Sequence, residues 1–181
     1  MESLRGQLLV SSPGIIDPNF RRTVVLVCEH NEEGAMGVVL NRPSGTAVAE
    51  ALPDLESLVE PGEPVYVGGP VQREAVLVLA EFDDPDAAGD IVFDDVGFAR
   101  GDGDFELLEA ATRRARAFVG YAGWGEGQLE SELEQLSWLV EPTDGVDLFA
   151  EPGADLFAAV LRRKGGAYRV LAMMPDDPSA N

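Results

Sequence analysis

The chain has 181 residues, 45% hydrophobic and 25% charged, and 13 Lys and Arg stand against 33 Asp and Glu for a formal net charge of −20. That length buries a real core in one domain without staples. The apolar share excludes a wholly disordered or fibrous chain, no apolar run is long enough to span a membrane, and the negative charge opposes nucleic acid and anionic lipid at long range.

Residues 6–12 read as a strand running into Pro13-Gly14, and Asp17-Pro18-Asn19 as a turn, since Asx residues and Pro both favour one. Residues 23–28, TVVLVC, are β-branched and nearly all apolar, the pattern of a central strand buried on both faces. Residues 36–40 return as a second apolar strand, so the two form a hairpin with a long polar tip around residues 31–34. A short helix is predicted over 46–52, capped by Ser44 or Thr46 and stopped by Pro53. Strands follow at 65–67, 75–82 and 91–93, with loops at 83–90 and 97–103. The apolar spacing of Phe105, Leu108, Ala111, Ala115 and Phe118 predicts a helix over 104–117, capped by Asp104, with Arg113, Arg114 and Arg116 opposing its dipole. A strand at 119–122 leads into the glycine run 123–127. A helix over 128–136 then turns Leu129, Leu133 and Leu136 to one face and glutamates to the other. A strand at 138–140, a helix over 154–164 closed by Gly165, and a final strand at 168–173 complete the chain. Strands come first and helices later without βαβ alternation, so the pattern is α+β with a mixed, largely antiparallel sheet and about three helices, a single domain over 1–181.

Chemistry-bearing residues are few. Cys28 is the only cysteine, so no intramolecular disulfide forms, and residues 1–6 have no signal-peptide layout; both predict a cytoplasmic protein. Cys28 and His30 lie two apart, and on a regular strand they share a face, where imidazole would lower the thiol pKa. Alternatively, Cys28 is a small core hydrophobe and His30 a surface residue. The set lacks the four fixed ligands of structural zinc, and no metal or cofactor is expected. The spacing of Gly123, Gly125 and Gly127 misses the dinucleotide fingerprint, and nearby glutamates occupy the place of a phosphate. Trp124, between two of these glycines, either plugs the core edge or lines a cleft. Arg21-Arg22, Arg113-Arg114-Arg116 and Arg162-Arg163-Lys164 would make a positive patch only if they converged; otherwise they are helix ends and a turn. No G-x-S-x-G exists, so a serine hydrolase is not expected.

Several ordered segments resemble the YqgE/AlgH family. They are Gly6-Gln7-Leu8-Leu9 with Ser12-Pro13, Asp17 with Phe20, Cys28-Glu29-His30, and the run from Gly34 to Pro43 that includes Asn41-Arg42. Val65-Tyr66-Val67-Gly68-Gly69-Pro70-Val71 follows, then the stretch from Gly120 to Glu132 with Trp124 and Gln128, then Trp138. Residues 175–181 resemble members with a D-P-S-x-N tail, and 83–104 is a variable connection. The resemblance implies a bacterial cytosolic protein with a branched sheet curled into a barrel-like body. Members are often labelled transcriptional regulators, and no catalytic residues carry over. Three readings stand. The first is a non-enzymatic interaction module. It would offer a protein or small ligand a cleft near Ser12, Asp17, Asn41, Arg42, Gly68, Gly69, Trp124 and Gln128, because functional residues gather in loops at strand ends. The second is a thiol enzyme or redox sensor using Cys28 and His30. The third is direct DNA binding through the Arg clusters, which the charge opposes; regulation would then be indirect.

Overall fold

A computed structural model of the chain describes residues 2–175. β1 (Leu8–Ser11), β2 (Val24–Asn31) and β3 (Gly34–Val39) form adjacent antiparallel strands. Their near-continuous apolar runs have a reason, because the sheet is covered on both faces. Leu26 and Cys28 of β2 point into one core, while Val25 and Val27 point into another. The hairpin's polar tip is short: Asn31 pairs with Gly34, leaving only Glu32 and Glu33 in the turn. β2 carries a bulge at Cys28, where Val27 faces Gly37 and Glu29 faces Met36.

Beyond β3 the chain makes strand where a helix was expected. β4 (Pro43–Ala47) pairs with β5 (Pro64–Val67), and the helix shrinks to α1 (Val48–Ala51). Pro53 starts a 3-10 turn, Pro53–Leu58, rather than only ending a helix. β6 (Val71–Phe82) is long, and β7 (Ala88–Phe93) and β8 (Val96–Ala99) pair beyond it. Residues 97–99, expected in a loop, are therefore strand. Gly97 is there because any Cβ would collide with the Asp90 carbonyl of the neighbouring strand.

The largest correction concerns residues 104–117. Asp104 does cap a helix, accepting from the Glu106 and Leu107 amides, but α2 (Phe105–Ala111) ends there. Thr112 begins the 14-residue strand β9 (Thr112–Gly125). β9 pairs with β6 along one edge, and with β5, in parallel, and β3 along the other. Two ladders of backbone hydrogen bonds outweigh the high helix propensity of its Ala and Arg residues. Arg113, Arg114 and Arg116 thus oppose no helix dipole.

Next come α3 (Gln128–Glu134) and β10 (Trp138–Glu141) in the predicted order, then the one-turn α4 (Gly145–Leu148), which was not expected, and the expected α5 (Leu156–Lys164). The expected last strand is instead a helix, α6 (Tyr168–Ala172). Gly165 and Gly166, both at positive φ, fold the chain back onto α5, and Tyr168, Leu171 and Ala172 reach the core at helical spacing. Strand order is β10-β1-β2-β3-β9-β6-β8-β7, with β4 and β5 branching off β9. The result is α+β: a curled, largely antiparallel half-barrel with six short α-helices among the described residues. One core lies between the sheet and α5–α6, and a second lies under α3. No helix is long and apolar enough to cross a membrane among the described residues. The D-P-S-x-N tail lies outside them.

Candidate functional site

The loop between β1 and β2 meets the end of β3 and the two C-terminal helices in a groove. Asp17 builds the loop: its Oδ1 accepts from the Asn19 amide at 2.9 Å, and its carbonyl accepts from the Phe20 and Arg21 amides. Asn41 fastens the loop to the sheet. Its Oδ1 accepts from Val24 N at 3.0 Å and its Nδ2 donates to the Arg22 carbonyl at 2.9 Å. Arg42 donates to the Arg21 carbonyl. Arg22 sits at φ 50°, a left-handed conformation that this network holds.

The groove has two adjoining parts. A cavity of about 220 Å³ is lined by Ser12, Ile15, Ile16, Arg21, Arg22, Phe157, Leu171 and Met174, among others. A second, of about 260 Å³, shares Arg22 and Phe157 and adds Asn41, Arg42 and Asp155. The Arg22 guanidinium lies over the Phe157 ring at 4.6 Å, donates to the Met174 carbonyl at 3.0 Å and pairs with Asp155 at 3.4 Å. Arg21 is half-buried, and its guanidinium makes no hydrogen bond or ion pair among the described residues. Ser12, Asn41 and Arg42 therefore come together as expected, and Asp17 shapes the loop without lining either cavity.

The other expected cleft residues stand elsewhere. Gly68 and Gly69 mark the branch of the sheet, where Gly68 accepts from Val39 N at 2.8 Å and donates to Val119 O at 2.9 Å. A Cβ on either would strike the backbone of Gly120 or Tyr121, so they permit a close strand crossing. Trp124 is a plug, 7% exposed, with Trp138 edge-on at 5.9 Å and Phe20 at 6.4 Å. Both indole N–H groups donate to one oxygen of Glu132, at 2.9 and 2.8 Å. Gln128 donates to the other oxygen at 3.0 Å and accepts from Gly125 N at 3.1 Å. Trp124 thus bears on the groove only indirectly, through Phe20 of the groove loop. Glu132 was read as one of the solvent-face glutamates; the signal for its role was that two buried indoles need an acceptor.

The thiol–imidazole pair does not form. The bulge at Cys28 inserts one residue into β2, so His30 faces Ala35 on the opposite side of the sheet from Cys28. Cys28 is buried, and burial pushes its thiol pKa up to about 12. His30 serves structure: its Nδ1 accepts from Leu4 N at 2.9 Å and its Nε2 meets Glu130 at 2.8 Å. That contact holds the Glu130 carboxyl below the ordinary range. No group of three or more His, Cys, Asp or Glu is placed to hold a metal among the described residues.

The basic clusters stay separate, and carboxylates meet all three arginines of 113–116 and two of the three residues of 162–164. Arg113 meets Asp95 and Asp83, Arg114 meets Glu81 at 2.6 Å, and Arg116 meets Glu63 at 2.7 Å beneath the Tyr66 ring. Arg163 grips Asp147 with two bonds, and Lys164 pairs with Glu141.

Comparison with known proteins covers nearly the whole chain. The family described as AlgH-like matches residues 8–169. A UPF0301 protein of Mycobacterium tuberculosis is 40% identical over 186 residues, spanning 97% of this chain and 90% of the relative. A crystal structure of a Corynebacterium diphtheriae protein superposes with a TM-score of 0.88 at 26% identity, covering 96% of this chain and 94% of the other. The solution structure of the AlgH protein from Pseudomonas aeruginosa gives a TM-score of 0.72 at 32% identity, with 96% and 95% covered.

Proposed function

This chain belongs to the AlgH-like family, and we propose that it works as a non-enzymatic interaction module whose binding surface is the groove between the β1–β2 loop, Asn41–Arg42 and the C-terminal helices. One observation carries the reading. On a chain of net charge −20, the loop that Asn41 pins in place sets Arg21, whose guanidinium has no partner among the described residues, at an apolar-walled cavity. Pockets with apolar walls and a few placed polar groups are the usual form of a ligand site. Regulation attached to such a module would be indirect, through the occupant. The other basic clusters supply no reading surface for DNA, because carboxylates answer most of their charge.

Native mass spectrometry of the protein purified gently from its own host tests this. A bound species of defined mass is expected. It should be lost in Arg21→Ala and in Ile16→Asp, and retained in Arg162→Ala on the exposed side of α5. A bound species that survives both groove substitutions, or no bound species at all, overturns the reading.

A further inference from the structure

We infer that the groove recognises a small monoanionic amphiphile: a carboxylate head on an aliphatic body, with the head at Arg21 and the body against Ile16, Phe157 and Leu171. The inference rests on the groove being the binding site and adds the chemistry of its occupant.

The head follows from Arg21. Arg21 is half-buried at the cavity, and its guanidinium has no partner among the described residues, so its donors are open to a ligand. A carboxylate suits them, because the guanidinium fork matches its two oxygens. Ser12, on the same wall, has a hydroxyl that makes no hydrogen bond among the described residues and can donate to the same head. A single charge fits better than two. Arg22 is already engaged by Asp155 and the Met174 carbonyl, and the Asp155 carboxylate would repel the second charge of a phosphate monoester.

The body follows from the walls. Ile15, Ile16, Phe157, Leu171 and Met174 surround the cavity, and Ile16 is 87% exposed at its rim. A large aliphatic side chain left so open gains by being covered. The size follows from the volume: about 220 Å³ falls below the roughly 300–1,000 Å³ of sites for drug-sized ligands. A short chain fills this apolar part of the groove. Elsewhere the acidic surface repels an anion, which favours this groove over competing sites.

Backbone amide NMR of the full chain at low salt tests this with four probes: hexanoate, hexanol, acetate and hexyl phosphate. Hexanoate should shift amides of residues 12–22 and 171–174, bind about tenfold more tightly than hexanol, the value of one charge-assisted pair, and bind more tightly than acetate, which lacks the aliphatic body. In Arg21→Ala, hexanoate should fall to the affinity of hexanol; the Arg21 side chain holds nothing else among the described residues, so this variant should fold. Equal binding of hexanol and hexanoate by the unaltered protein overturns the anionic head. Tighter binding of hexyl phosphate overturns the single charge. Shifts confined to other residues overturn the site. A host-derived species that is lost in Arg21→Ala while hexanoate moves nothing would keep the groove as the binding surface and overturn the small amphiphile. If neither probe nor host species depends on Arg21, both readings fall.

Discussion

Glu132 holds more of the second core than its place on a polar helix face suggests. Two buried indole N–H groups and the Gln128 amide all donate to its carboxylate. Glu132→Ala would leave both indoles without an acceptor. It should destabilise the fold by about 2–4 kcal/mol, read as a lowered urea midpoint at unchanged slope. Cys28 makes the opposite point. It is the residue with the most chemical promise in the sequence, and the fold silences it. Its raised pKa stabilises the fold fully below 9.0, the ordinary thiol value, and that contribution is lost as pH rises from 9.0 towards 12, where the unfolded thiol ionises and the folded one does not. Alkylation at pH 8 should therefore wait for unfolding, so the rate with iodoacetamide should follow the denaturant curve. The separation of Cys28 from His30 was not legible because a single extra residue in a strand reverses every later side chain, and apolar alternation does not mark where it falls.

At the scale of elements, β9 shows what local preference cannot reveal. Ala and Arg at 113–117 are good helix formers, and the stripe from Phe105 to Phe118 continues the helical spacing. The alternating Arg-Ala-Arg-Ala of 114–117 also fits a strand, and only long-range pairing with β6, β5 and β3 decides between them. That choice buries Arg116 to 4% exposure, where Glu63 and the Tyr66 ring meet its guanidinium. Glu63→Ala would strand a buried charge and should cost about 3–5 kcal/mol in chemical denaturation. The double change Arg116→Met, Glu63→Leu should recover most of it, because an apolar pair of similar volume needs no partner. By contrast, α3 and α5 were legible, since the Gly165 cap of α5 and the spacing of Leu129 and Leu133 in α3 act within one or two turns, whereas Leu136, expected on the same face, lies beyond the end of α3 at φ 58° and is exposed. α6 was misread because an apolar stretch of five residues fits either period, and the glycine pair before it sets its direction.

At the scale of the whole molecule, fold class was readable from the order of strands and helices, and three residues of the candidate site from their places at strand ends. Ser12, Asn41 and Arg42 meet in the groove because strands β1 and β3 flank β2 and end on the same side of it. Gly68 and Gly69 also end a strand, but theirs is the branch point, where the absence of a side chain is the function. The walls contributed by α5 and α6 were invisible because nothing in the sequence places a C-terminal helix against an N-terminal loop. The double pairing of β9 has a last consequence, for synthesis. While the ribosome is still short of residue 112, β3, β5 and β6 exist without the strand that joins them, and their edges stand open. Non-local pairing of this kind is slow and leaves strand edges exposed to other chains. The nascent protein therefore stays in unjoined pieces until β9 has been made, and only then becomes one sheet.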